Sequence, residues 1–236
     1  EGVRNSGDTL NYTEVASGGV QDSCEIYHTL RVPRGGEYTL VLADGTTVYL
    51  NAESELRFPK QFRGKNRKVY LTGEGYFDVQ RNEKQPFIVE AQQVEIRVLG
   101  TSFGVRAYTK EENVLTTLIQ GRVNVEADGQ QVELNPGQQA DYNRGNDRLT
   151  VAEVDVEQYV GWKDGRLVFD NKPLEFILEE LGRWYSFDVF YTNKELKEIP
   201  YSLNIKKHED IAHVLKFIER TGKVKFEVNK NTIIVK

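Results

Sequence analysis

From residue 38 to about residue 154 the apolar side chains fall on every second position, broken only where turn residues intervene. Leu40 and Leu42 alternate with Thr39 and Val41, Asp44-Gly45 supplies a hairpin turn, and Val48 and Leu50 resume on the same face. Alternation buries one face of a strand and leaves the other wet, so each run needs a second layer against it. The pattern recurs over residues 68–72, 76–79, 87–91, 94–99, 103–108, 115–119, 123–127, 132–134 and 140–142. Between these runs stand Gly73, Gly75, Gly100, Gly121, Asp128-Gly129 and Pro136-Gly137. About ten short strands predict an all-β domain over residues 31–158, which is solenoid-like, sandwich-like or a barrel. Residues 1–30 are rich in Gly, Ser, Asn and Thr and lack a period, so they read as a flexible lead-in, with order beginning near Thr29.

Near Gly161 the period changes. Residues 167–169 read as a strand. Asn171 is placed to cap a helix and Pro173 to open it, and Leu174, Ile177, Leu178 and Leu181 then take positions i, i+3, i+4 and i+7. A strand at 187–191 follows. The unit then repeats: a strand at 201–205, Asp210 as cap, and Ile211, Val214, Leu215 and Ile218 on one helical face before Thr221-Gly222. Two alternating runs, 224–228 and 232–235, form a closing hairpin. Residues 159–236 are therefore expected to be a β-α-β-β-α-β-β domain, making the chain mainly β with a C-terminal α+β domain.

Composition removes several functions. Lys and Arg number 31 against 36 Asp and Glu, a net charge of −5 with neither sign gathered into a block, which argues against nucleic acid as partner. The apolar runs are cut by charge every few residues, far short of the ~18 a membrane helix needs. Cys24 is the only cysteine, so an internal disulfide and a thiolate zinc cluster are excluded. With no Met and Glu1 first, the chain reads as part of a longer protein.

Motifs that would carry chemistry fail on context. Gly100-Thr101-Ser102-Phe103-Gly104 fits the G-x-S-x-G hydrolase pattern, which needs a strand turning sharply into a helix beneath an exposed serine. Strand character continues through residues 105–108 instead, and His28, His208 and His213 lie elsewhere in the chain, so two glycines at a turn or bulge is the preferred reading. A serine hydrolase built on Ser102 stays as the enzymatic alternative. His208 and His213 stand five apart, about 140° around a helix, and diverge where a zinc pair at i and i+4 would converge. Gly73-Glu74-Gly75 lacks a third glycine and a following helix. No catalytic residue, metal or cofactor is expected. The aromatics Trp162, Phe169, Phe176, Trp184, Tyr185, Phe187 and Phe190 read first as core; with Arg183, part of this group is alternatively an exposed anchor for a protein, or a platform for a glycan.

Several segments together resemble the FecR-type anti-sigma regulators: residues 42–54 (LADGTTVYLNAES), 67–71 with 73–79 (GEGYFDV), 86–89 (PFIV), 98–103 (VLGTSF), then Gly121-Arg122-Val123 and Pro136-Gly137-Gln138. The stretch from Trp162 to Lys236 is similar to the extra C-terminal domain of the Bacteroidetes branch, itself similar to the short N-terminal domain of secretins and TonB-dependent receptors. The resemblance implies a non-enzymatic, single-pass inner-membrane protein. Its periplasmic region senses an outer-membrane TonB-dependent transducer, and its cytoplasmic part holds an extracytoplasmic-function sigma factor. On that view this chain is the periplasmic region; sigma factor and membrane are reached only through segments upstream of it.

An α+β domain of this order leaves strand edges open, and an open edge accepts a partner strand through main-chain hydrogen bonds. The candidate edges are residues 201–205 and 232–235. Tyr201, Leu203 and Ile205 on the first, with Arg183 and Trp184, are the predicted contact residues for the signalling domain of the transducer.

Overall fold

A computed structural model describes residues 4–6, 9–13, 26–207 and 209–236. Gly18-Gly19, Cys24 and His208 lie outside the described residues. The chain divides into two compact units, Glu1–Val156 and Glu157–Lys236.

The first unit contains β1 (Arg4–Ser6), β2 (Thr9–Asn11), β3 (Tyr27–Arg31), β4 (Tyr38–Val41), β5 (Thr47–Leu50), β6 (Glu55–Pro59), β7 (Arg67–Asp78) and β8 (Phe87–Ala91). It continues through β9 (Val94–Val98), β10 (Ser102–Ala107), β11 (Asn113–Gln120), β12 (Val123–Ala127), β13 (Gln130–Leu134), β14 (Gln138–Asn143) and β15 (Arg148–Glu153). One row of strands runs β1-β2-β4-β5-β7-β10-β11-β14-β15, and a second runs β3-β6-β7-β8-β9-β12-β13. The chain passes back and forth between the rows, by pairs of strands from β8 onward, so the unit is a flattened coil whose two faces enclose one core. Among the described strands of this unit, β2 with β4 and β7 with β8 pair in parallel and the others antiparallel.

Register puts the alternating residues where the period requires. Leu40, Val48, Phe77, Phe103 and Leu118 are cross-strand neighbours in the first row, all fully buried. Val69, Val89, Ile96 and Val125 do the same in the second. Phe77 stacks on Phe103 with centroids 5.2 Å apart. Burial of such side chains contributes about 1.5–3 kcal/mol each.

The twelve-residue β7 belongs to both rows. Its first half pairs with β6 and β8 and its second with β5 and β10. The transfer occurs at Gly73, where φ is +95° and an added Cβ would lie 2.7 Å from Ser54 Cα. Only glycine fits there.

Order begins earlier than the sequence suggests. β1, β2 and part of β3 precede Thr29, Leu10 packs against the core and Tyr12 is buried, its ring edge-on to Phe58. Three-residue strands are too short to show a period, and the pair β1–β2 joins the sheet through β4, well along the chain from β2.

The second unit opens with α1 (Glu157–Val160) and a 3-10 turn, then β16 (Arg166–Pro173), α2 (Leu174–Tyr185), β17 (Asp188–Tyr191), β18 (Pro200–Lys206), α3 (Ile211–Glu219), β19 (Phe226–Asn229) and β20 (Thr232–Val235). This is the predicted order. β16 and β18 form one antiparallel pair, and β17-β20-β19 form a separate three-stranded sheet. Asp210 caps α3 by accepting from the Ala212 N–H. Asn171 does not cap α2. It sits with φ +49° in a bulge of β16, its N–H bonded to Ser202 Oγ, and Pro173 precedes the helix directly. The expectation of an open edge at residues 232–235 is also corrected: β20 is central, bonded by β17 on one side and β19 on the other.

Candidate partner-binding site

In the two-stranded sheet, β18 bonds β16 along one edge only. The phase of that ladder follows from two bonds outside it, Lys207 N–H to Gly165 O and Leu174 N–H to Ile199 O. Antiparallel partners exchange bonds at every second residue, so odd-numbered residues of β18 face β16. The N–H and C=O groups of Ser202 and Asn204 therefore point away from it. Those of Lys206 do too, although its carbonyl accepts from Glu209 N–H at the following turn.

The side chains alternate in the same way. Tyr201, Leu203 and Ile205 are buried; Ser202, Asn204 and Lys206 are exposed. The Tyr201 hydroxyl lies 3.3 Å from Thr221 Oγ1, just past the end of α3, so α3 runs back along β18 in the opposite direction. Between strand and helix is a groove of about 440 Å³. Leu203, Ile205 and Val214 line it with Ser202 and Asn204 on the strand side and Phe217, Lys216 and Arg220 on the helix side; Glu209 and His213 stand at the other end. Phe217 is 59% exposed. Neither Lys216 nor Arg220 has a carboxylate within ion-pair distance among the described residues, whereas Glu219 accepts from the Phe226 N–H.

The residues predicted from sequence are thus only partly at this surface. Tyr201, Leu203 and Ile205 sit on the right strand with inward side chains, so a neighbour on the β18 edge would meet main chain, not these rings and methyls. Arg183 is buried on α2 and ion-paired with Glu180 one turn earlier. Trp184 is half-buried, with the Lys207 ammonium 4.3 Å from its ring centroid. Burial lowers the Lys207 pKa to about 8. The Tyr185 hydroxyl donates to the carbonyl of Glu209 at 2.7 Å, and burial raises its pKa, with Glu209 and Asp210 adding to the effect. Trp162, Phe169 and Phe187 are core, and Phe190 is exposed.

Phe217, Lys216 and Arg220, which line the groove, are not among the residues predicted from sequence. A signal was present: Phe217 lies off the stripe of Ile211, Val214, Leu215 and Ile218, an aromatic on the polar face of an amphipathic helix.

Ser102 lies at a register shift where β10 meets β11, and its Oγ donates to Asp78 at 2.9 Å. β10 runs on to Ala107 with no helix after it. His28 is hydrogen-bonded to the Tyr12 hydroxyl, and His213 is in the other unit. Among the described residues neither His28 nor His213 is hydrogen-bonded to this serine. No described helix is long and apolar enough to cross a membrane.

A coiled β-unit followed by a unit with two helix-on-strand repeats is the architecture to which the family comparisons apply. The FecR protein model matches residues 28–124 and the FecR C-terminal model residues 166–235. The two matches together span most of the chain, which belongs to the FecR family of anti-sigma regulators. Two crystal structures of a candidate anti-sigma factor from Parabacteroides distasonis ATCC 8503, at 1.65 and 2.50 Å resolution, are each similar to it, with TM-score 0.82 and 27% identity over 89% of this chain and 98% of that one. Among curated proteins none matches the sequence.

Proposed function

We propose that this chain is the periplasmic sensor region of a transmembrane anti-sigma factor, and that it relays the state of an outer-membrane TonB-dependent transducer to an extracytoplasmic-function sigma factor. Relay is by protein–protein binding. The transducer's signalling domain docks on the second unit, and a ligand-dependent change in that docked population alters the hold on sigma exerted elsewhere in the protein. No residue of this chain is assigned to sigma binding.

The observation that carries the reading is the outward-facing main chain of Ser202 and Asn204 beside an exposed Phe217. Unsatisfied strand edges next to apolar surface are what a partner strand completes. The test is a pull-down, then calorimetry, between this chain and the signalling domain of its cognate TonB-dependent receptor. Complex formation is expected, and none at tens of micromolar would refute the reading.

A further inference from the structure

We infer that the occupant of the groove between β18 and α3 is an extended segment with acidic side chains, which adds to the sheet beside Ser202 and Asn204. This rests on the reading of the second unit as the docking surface for the transducer and specifies the chemistry of the segment that docks. Three independent features converge on it. The strand edge offers donors and acceptors two residues apart, the repeat that an added strand matches. Phe217, 59% exposed on α3, supplies apolar surface against which an alternate side chain of that strand would lie. Lys216 and Arg220 supply positive charge at the helix side of the same groove, without carboxylate partners among the described residues.

The direction of α3 fixes where each demand falls. Because α3 runs opposite to β18, Arg220 and Lys216 lie towards the Ser202 end and Glu209 towards the Ile205 end. An incoming strand therefore needs a carboxylate near Ser202 and an apolar residue against Phe217, and it is not acidic where it passes Glu209. A basic segment is rejected at the Ser202 end by like charge. Ser202 Oγ donates to the Asp170 carboxylate at 3.0 Å and accepts the Asn171 N–H, so the hydroxyl is not offered to the strand, and the two cations Lys216 and Arg220 stand against one carboxylate of the chain's own at that end.

Two probes test this on the full chain. The first is a synthetic Glu-Val-Glu-Val-Thr peptide at about millimolar concentration, compared with its Lys-Val counterpart, read by amide shifts in the isotope-labelled chain. Shifts at Ser202, Asn204 and Phe217 are expected with the acidic peptide alone. The second is the signalling domain, titrated against wild type, the charge reversal Lys216→Glu/Arg220→Glu, and Asn204→Pro. The Asn204 N–H bonds nothing in β16, so proline removes an edge donor without breaking the native ladder. Each variant, checked for folding by far-ultraviolet circular dichroism, is expected to weaken the domain about tenfold or more, and added salt to weaken wild-type binding. If the domain binds all three proteins equally and the peptide moves none of these amides, the inference is overturned while the proposed function stands. If the peptide binds and the domain does not, the proposed function falls and the groove's chemistry stands. If neither binds, both fall.

Discussion

Replacing Arg67 by alanine should destabilise the first unit more than any exposed substitution. Arg67 is 1% exposed at the start of β7, yet its guanidinium serves three acceptors: Nε donates to the Gln85 carbonyl at 2.8 Å, and Nη1 to Asp44 at 2.7 Å and the Gln80 carbonyl at 2.8 Å. Asp44 in turn receives the Thr46 N–H and hydroxyl at the β4–β5 hairpin. The side chain so joins a turn, a strand start and the loop after β7. Its removal leaves a nearly buried carboxylate without its cation, which costs about 3–5 kcal/mol. Nη2 has no partner, a desolvation cost of about 1–3 kcal/mol already carried by wild type, which places the loss towards the lower figure. For a unit of this size the melting temperature should fall by about 6–20 °C. Far-ultraviolet circular dichroism follows the β-unit, while Trp fluorescence arises only from Trp162 and Trp184 and serves as a folding control for the second. Arg67→Lys should recover little, because an ammonium cannot reach all three acceptors. Adding Asp44→Ala to Arg67→Ala should cost less than the two losses summed, since the orphaned charge goes with it. A loss below about 1 kcal/mol, the range of exposed pairs, would refute the argument.

Gly73→Ala forces a positive φ on a Cβ that meets Ser54, and should cost about 3 kcal/mol or more by urea denaturation, with transfer of β7 between rows impaired. Burial lowers the Lys207 pKa to about 8 despite the indole beneath it, so the folded state releases that proton before the unfolded chain does. Stability should therefore rise as pH increases from about 8 towards the ordinary lysine range, and be lowest below it; urea midpoints across that window should rise in wild type and flatten in Lys207→Met. Ser102→Ala loses one exposed hydrogen bond to Asp78 and should shift stability within about 0.5 kcal/mol, and a serine-reactive probe should leave wild type unlabelled.

Much of the first unit was legible because its information is local. Period two names the buried face of each strand, and glycine, Asp-Gly and Pro-Gly pairs name the turns. The quoted segment around residues 42–54 also has a physical content that its letters do not display. Asp44, itself held by Thr46, accepts from Arg67, while Asn51 donates to Glu74 at 2.6 Å and Glu74 lies 3.6 Å from Arg106, which is paired bidentately with Glu111. These are buried polar ties between successive turns of the coil, with partners 23 residues apart in the first two cases. No period or spacing rule announces a tie of that length, so the sequence shows conspicuous polar residues and the structure shows why they are inside.

The second unit divides along the same line. Helix stripes and the Asp210 cap are read within one or two turns of chain, and they were read correctly. Which strand is an edge is a property of its neighbours. Residues 201–205 and 232–235 both alternate, yet β18 has one bonded side and β20 has two, because β17 returns parallel to β20 and fills the side a simple hairpin would leave open. The same limit explains the predicted contact residues. Tyr201, Leu203 and Ile205 are conspicuous because they are apolar, and apolar alternate residues on a strand are the ones turned inward. What such an edge exposes is main chain together with the polar alternates, Ser202 and Asn204, and any apolar contact must come from another element, here Phe217 on α3. Under the strand addition proposed above, the residues that mark the strand in the sequence and the groups that would meet the partner are therefore different sets, offset by one position.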